Sequence, residues 1–253
     1  MRPGLRFIPV WRRNFLVWRK LALPSMLGNL ADPMIYMLGL GYGLGAFLPE
    51  IAGVPYIAFL AAGTVCFSTA NSATFESLYS AFSRMHVQKT WDAILNAPLT
   101  LEDVVLGELV WAASKSFLSG LAIMLVVWVL GLSTSPLSLV ALVVIPVIGL
   151  AFAALGLAVT AVSPSYDFFM YYFTLFITPM AMLCGVLYPM DALPEVVRWF
   201  SQVLPLAHAT QLIRPLLFGE WPAHALWHVL ALLAYAAAGF WIALRLFRRR
   251  LLK

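Results

Sequence analysis

Charged side chains are scarce in this sequence, 11% of 253 residues against 62% hydrophobic. Each one inside an apolar run is costly and calls for a partner. Glu108 and Lys115 stand seven apart, two helical turns along one face of one run, and Glu76 sits near the end of the preceding run. An acid and a base so placed neutralise each other, and the spacing predicts a Glu76–Lys115 or a Glu108–Lys115 contact. Such a pair reads either as structural or as a gating element. His224 and His228, at i, i+4, have a spacing that can ligate a metal, but no acid or cysteine accompanies them locally and no metal site is expected. Cys66 and Cys184 lie within apolar segments and read as packing residues. The sequence holds no Gly-x-Ser-x-Gly, no Ser/His/Asp set and no pair of cysteine motifs, so nothing in it points to a catalytic centre.

The elements that must position these charges are membrane spans. So apolar a chain cannot bury its surface in a soluble core. At about 20 apolar residues per span, six helices are expected: Leu27–Leu48, Pro55–Tyr79, Val104–Leu130, Leu137–Val162, Phe168–Tyr188 and Ala225–Phe247. The runs are too long for barrel strands, and helices satisfy their own backbone in lipid. The fold class is therefore all-α membrane protein. Basic residues gather before the first span (Arg2, Arg6, Arg12, Arg13, Arg19, Lys20), after the second (Arg84, Lys89) and in the tail (Arg245, Arg248, Arg249, Arg250, Lys253). Both termini are thereby expected on the cytoplasmic side. The net charge of +5 is absorbed by anionic headgroups and implies no nucleic acid.

The longest polar passage between the first and last apolar runs is Gln88 to Glu108, QKTWDAILNAPLTLEDVVLGE. It predicts a short helix over Thr90 to Asn96, stopped by Ala97-Pro98, and a second helix capped by Thr100 with Asp103 three residues on. A helix, a break and a recapped helix between two spans make a handle for a cytoplasmic partner. The first twenty residues put Arg6, Arg12, Arg13, Arg19 and Lys20 on one helical face and Phe7, Ile8, Trp11, Phe15 and Trp18 opposite, an interfacial helix that anchors or also meets the partner. Asp32-Pro33 in the first span reads as a cytoplasmic-end helix cap or as a transport residue. Gly39, Gly41, Gly43 and Gly45 read as a packing strip.

Two passages carry a resemblance: NSATFESLYSAFSRMHVQKTWDAILNAPLTLEDVVLGELVWAASKS (71–116) and SPSYDFFMYYFTLFITPMAMLCGVLYPMDALPEVVRWFSQVLPLAHATQLIRPLLFGEW (163–221). Both resemble the permease subunits of type-2 ABC (ABC-2) exporters, nearest to the nodulation-factor, NodJ-like type. The resemblance implies a six-helix permease acting as a dimer in the bacterial inner membrane, each copy gripped by a NodI-like ABC ATPase. The family's coupling helix falls on Lys89 to Leu95, with Lys89, Thr90, Trp91, Asp92, Ile94 and Leu95 as contact candidates. Trp91, Ile94 and Leu95 would enter an apolar cleft on the ATPase. It also implies short re-entrant helices on the outer side at about 190–218. The expected division is an amphipathic N-terminus (1–26), the six-helix domain (27–247) and a basic cytoplasmic tail (248–253). No G-x-x-x-x-G-K-[ST] loop is present, so no cofactor is expected in this chain, with ATP and Mg held by the partner.

The substrate is the least determined. The dense aromatics of SPSYDFFMYYFTLF read as an interfacial belt or as a stacking surface for sugar rings, with Tyr166, Tyr171 and Tyr172 as candidates. Arg198 is a candidate for an anionic substrate group, a lipid phosphate or a helix carbonyl. The nearest resemblance implies export of a lipo-oligosaccharide or related glycolipid. ABC-2 permeases for polysaccharides or drug-like amphiphiles, a secondary carrier and a membrane-embedded enzyme are the alternatives. A carrier would carry charges near the bilayer midplane, and an enzyme a convergent acid, base or metal set.

Overall fold

The structure is a computed structural model and describes residues 5–251; Arg2 and Lys253 of the basic termini lie outside the described residues. It is helical apart from one hairpin, β1 (Glu50–Ile51) and β2 (Val54–Pro55), whose turn residues Ala52 and Gly53 both have positive φ. The helices in chain order are α1 (Ile8–Trp18), α2 (Ala22–Gly43), α3 (Tyr56–Phe75), α4 (Thr90–Leu95), α5 (Leu101–Val129), α6 (Ser138–Val162), α7 (Asp167–Tyr172), α8 (Thr178–Leu183), α9 (Glu195–Val203), α10 (Pro205–Phe218) and α11 (Ala225–Leu251). π-helical turns continue α3 at Glu76–Ser80 and Ser83–Val87 and join α7 to α8 at Phe173–Ile177.

Among the described residues, four helices are long and apolar enough to cross a membrane: Tyr56–Val87, α5, α6 and α11. The first and fifth expected spans are helical but fall short of that standard. The 22 residues of α2 are diluted by Ser25, Asn29, Asp32 and two prolines, and Asp167–Leu183 is a shorter apolar helix. Asp32 does not cap a new helix, because α2 runs unbroken through Pro33.

The Tyr56–Val87 helix is the axis of the bundle. Its most apolar window is 83% buried, against 17% for α11, and α3 packs on α2, α5, α6 and α10. Small residues make these approaches possible. A Cβ on Gly63 would lie 2.3 Å from the Val186 carbonyl oxygen, and one on Gly156 would lie 2.0 Å from Ser77 Oγ. In the strip from Gly39 to Gly45 only Gly41 meets a close neighbour, Ile57, so within one chain the strip is not a continuous packing surface. The peripheral α11 is tied to α6 through Arg250, which donates to the carbonyls of Thr160, Ala161 and Ser163 and so satisfies the end of that helix. At the opposite end, α9 and α10 are separated by an extended Leu204, and Arg214 on α10 lies 3.7 Å over the Phe59 ring while donating to the Gly185 carbonyl.

Gly63→Leu should lose most of the monodisperse protein recovered by size-exclusion chromatography in detergent. Gly43→Leu, whose Cβ would meet nothing within 4 Å, should be recovered at the level of the unsubstituted chain.

Candidate functional site

Four buried charges, Glu76, Arg84, Glu108 and Lys115, form one connected network, apart from Arg214 on α10. Lys115 Nζ lies 2.8 Å from Glu76 Oε2, which also accepts from Ser80 Oγ at 3.0 Å. Glu76 Oε1 accepts from Trp111 Nε1 at 2.8 Å and lies 2.9 Å from Arg84 Nη2. The same guanidinium grips Glu108, with Nε 3.0 Å from Oε1 and Nη2 2.5 Å from Oε2. Trp91 Nε1 completes the set by donating to Glu108 Oε1 at 3.2 Å. Two acids and two bases cancel in charge, and all four carboxylate oxygens have donors. That is what burying them requires.

Of the two contacts the spacing allows, the protein makes Glu76–Lys115. The Glu108–Lys115 alternative is corrected: Glu108 pairs with Arg84. Arg84 was legible only as a loop charge, yet it bridges both acids. The reason lies in the backbone. In a regular α-helix, residues eight apart point about 80° away from each other, whereas the extra residue of a π turn brings them to about 20°. The π-helical Glu76–Ser80 turn lies between Glu76 and Arg84 and places both on the face toward α5. The one available signal was a basic residue eight positions from an unpaired acid.

α4 is held from within. Lys89 adopts a left-handed conformation at φ +55, which turns the chain sharply into α4. Thr100 and Asp103 form a reciprocal capping box that restarts the chain as α5. Trp91 is fully buried, its ring 4.9 Å from Phe247 of α11 in an edge-on contact. It therefore cannot enter a cleft on another protein, and that expectation is corrected. The outward surface of α4 comprises Lys89, Asp92, Ala93 and Asn96, with Thr90, Ile94 and Leu95 partly exposed. Arg13 of α1 reaches Thr90 Oγ1 at 3.3 Å, and Trp11 Nε1 donates to Ser114 Oγ at 3.1 Å. Thus α1 is braced across the end of α5, with Val10 against Gly107, rather than resting on lipid alone.

A cavity of about 430 Å³ opens beside the network, bounded by Arg13, Trp18, Glu76, Tyr79, Arg84, Trp111, Lys115 and Tyr166. Tyr166 stacks on Tyr79 with centroids 6.0 Å apart. The remaining aromatic candidates diverge from it. Tyr171 is exposed, while Tyr172 stacks on Phe176 at 5.4 Å. Arg198 sits on α9, 3.8 Å from the exposed Asp191. His228 turns from His224 toward α10 and meets His208, their Nδ1 atoms 2.9 Å apart. Among the described residues no cluster of three metal-ligating side chains occurs.

Arg84→Leu alone strands Glu108 and should cost about 3–5 kcal/mol. Arg84→Leu with Glu108→Leu removes the pair and should recover most of that loss. Chemical or thermal unfolding in lipid nanodiscs distinguishes the two.

The wider comparison agrees with this architecture. The profile of the ABC-2 type transporter family matches residues 6–218. Nodulation protein J of Bradyrhizobium diazoefficiens is 50% identical over 244 residues, covering 96% of this chain and 93% of that protein. Nodulation protein J of Rhizobium meliloti is 48% identical over 249 residues (98% and 95%), and that of Rhizobium leguminosarum bv. viciae 48% over 250 residues (99% and 96%). With a family match across most of its length and relatives alike nearly end to end, this chain belongs to the ABC-2 type transporter family.

Proposed function

We propose that the chain is the permease subunit of an exporter that moves a nodulation-factor-like lipo-oligosaccharide, or a related glycolipid, across the bacterial inner membrane. The observation that carries this reading is the near end-to-end likeness to nodulation J proteins at 46–50% identity in six of them. In this reading two copies work together, each bound to a NodI-like ABC ATPase that holds ATP and Mg, and the chain itself carries out no hydrolysis. Six helices span the bilayer, α2 and the α7–α8 segment included, with both termini cytoplasmic. The α9–α10 pair dips into the outer leaflet.

The geometry supports a division of labour in the coupling segment. Asp92, Ala93 and Leu95, with Lys89 and Thr90 at the sharp turn, form the surface for the ATPase. Trp91 faces the other way and joins that surface to Glu108. A push on α4 reaches Arg84, Glu76 and Lys115 through hydrogen bonds, without a flexible link between them. Lys115 and Glu76 border the cavity, so movement of the docked helix bears directly on its walls. Trp91 is thus a positioning residue in this scheme.

The test is ATP hydrolysis by the permease–ATPase complex in lipid nanodiscs, with and without an N-acylated chitotetraose. Stimulation by that ligand is expected, and a stable complex without any response overturns the substrate class. Trp91→Phe keeps the ring against Phe247 but removes the donor to Glu108. It should leave the complex and its basal hydrolysis intact and reduce ligand stimulation several-fold. Ala93→Trp, on the exposed side, should instead prevent the complex from forming. A Trp91→Phe variant that fails to assemble, beside an Ala93→Trp variant that assembles normally, would reverse the two roles.

A further inference from the structure

One polar site lies apart from the charge network. Asn29 and Asp32 on α2 face Asn71 and Ser72 on α3 across a cavity of about 190 Å³, with Phe75 and Ser119 on its border. Among the described residues no ion pair engages Asp32, and the buried Ser72 Oγ has no hydrogen-bond partner. The site is far from either helix end. Asn71 is near the middle of the Tyr56–Val87 helix, Ser119 is well inside α5, and Asp32 is near the centre of α2. This revises the placing of Asp32 at a cytoplasmic end. An acid and two amides at that depth are expensive against hydrocarbon and belong on a water-filled or ligand-bearing surface.

The site also has a connection. A narrow space of about 10 Å³ bordered by Trp18, Asn29, Lys115 and Ser119 lies between it and the cavity beside the network. It shares Asn29 and Ser119 with the first and Trp18 and Lys115 with the second. Aromatic faces follow the same line: Phe75 stacks on Tyr79 at 4.5 Å, and Tyr79 on Tyr166 at 6.0 Å.

We propose that Asn29, Asp32, Asn71 and Ser72 form a binding site for one hydroxyl- and amide-bearing sugar residue of the transported amphiphile's head group, joined to the cavity beside the network by a space that holds about one water and widens when the sugar passes. The assignment rests on the exporter reading above and names the part of the substrate that this site takes. A carboxylate accepts from sugar hydroxyls, and the Asn amides both donate to and accept from N-acetyl groups. The Phe75 ring offers a face to the apolar side of a pyranose. The acyl chain stays in the lipid.

Two measurements on the permease–ATPase complex in nanodiscs test it. In a Cys66→Ser, Cys184→Ser background, Asp32→Cys and Asn71→Cys should react with a membrane-impermeant cationic methanethiosulfonate at least tenfold faster than Val143→Cys on the exposed face of α6. Rates equal to that control overturn the polar route and leave the face to lipid or to a second copy. In the native background, Asp32→Ala and Asn71→Leu should each raise the N-acylated chitotetraose concentration for half-maximal ATPase stimulation about tenfold. Fast modification with unchanged half-maximal concentrations overturns the head-group site. If the unsubstituted complex shows no stimulation, the substrate reading and the head-group assignment fall together, while the route is decided by the modification rates alone.

Discussion

A carboxylate buried in a helical bundle needs a donor on each oxygen, and this protein meets that demand twice within a few ångströms, with four donors on Glu76 and three on Glu108. Arg84 is the hinge of the solution. Its guanidinium spans Glu76 on its own helix and Glu108 on α5, leaving Lys115 and the two indole N–H groups to complete the shells. Because each member is buried by the others, the network holds α3, α4 and α5 in one relative position. The C-terminal helix joins the same unit through Phe247 against Trp91 and through Arg248, which pairs with Glu102 in the first turn of α5. Removing any one ion leaves another uncompensated, whereas removing a matched pair does not.

What the sequence disclosed was whatever rests on local chemistry. The proline at position 98 and the Thr100–Asp103 cap act over three or four residues and appear where the spacing puts them. The Glu76–Lys115 contact was legible as one of two choices, since adjacent spans run antiparallel and few charges compete. What escaped depends on departures from regular periodicity or on distant neighbours. Arg84 falls on the wrong face unless the helix is widened. Trp91 looks like an outward-facing anchor until Phe247, more than 150 residues on, covers it. His228 was read with the neighbour one turn away, and its partner proved to be on a different helix. Asp32 was misplaced because proline suggested a helix start that the backbone does not make.

In the proposed exporter scheme the functional parts lie along a single line through the bundle. The exposed side of α4 begins it, the neutralised charges follow, and the cavity between α1, α5 and the π-helical end of α3 comes next. The N-terminal helix belongs to this line as well, since Arg13 touches Thr90 and Trp18 borders the cavity. α1 is therefore tied to both the docking helix and the route in the exporter scheme, and cannot shift without disturbing one of them.

The Tyr56–Val87 helix also constrains how the chain enters the membrane during synthesis. It carries an acid and a base, and apart from its contact with α2 its buried surface belongs to neighbours made after it. Glu76 finds Arg84 within the same segment, but Trp111 and Lys115 emerge only with the next long helix. Released alone, this segment would expose to lipid an ion pair that still lacks its Trp111 and Lys115 partners. The two helices are thus best integrated as a pair, the first waiting beside the insertion machinery until the second arrives.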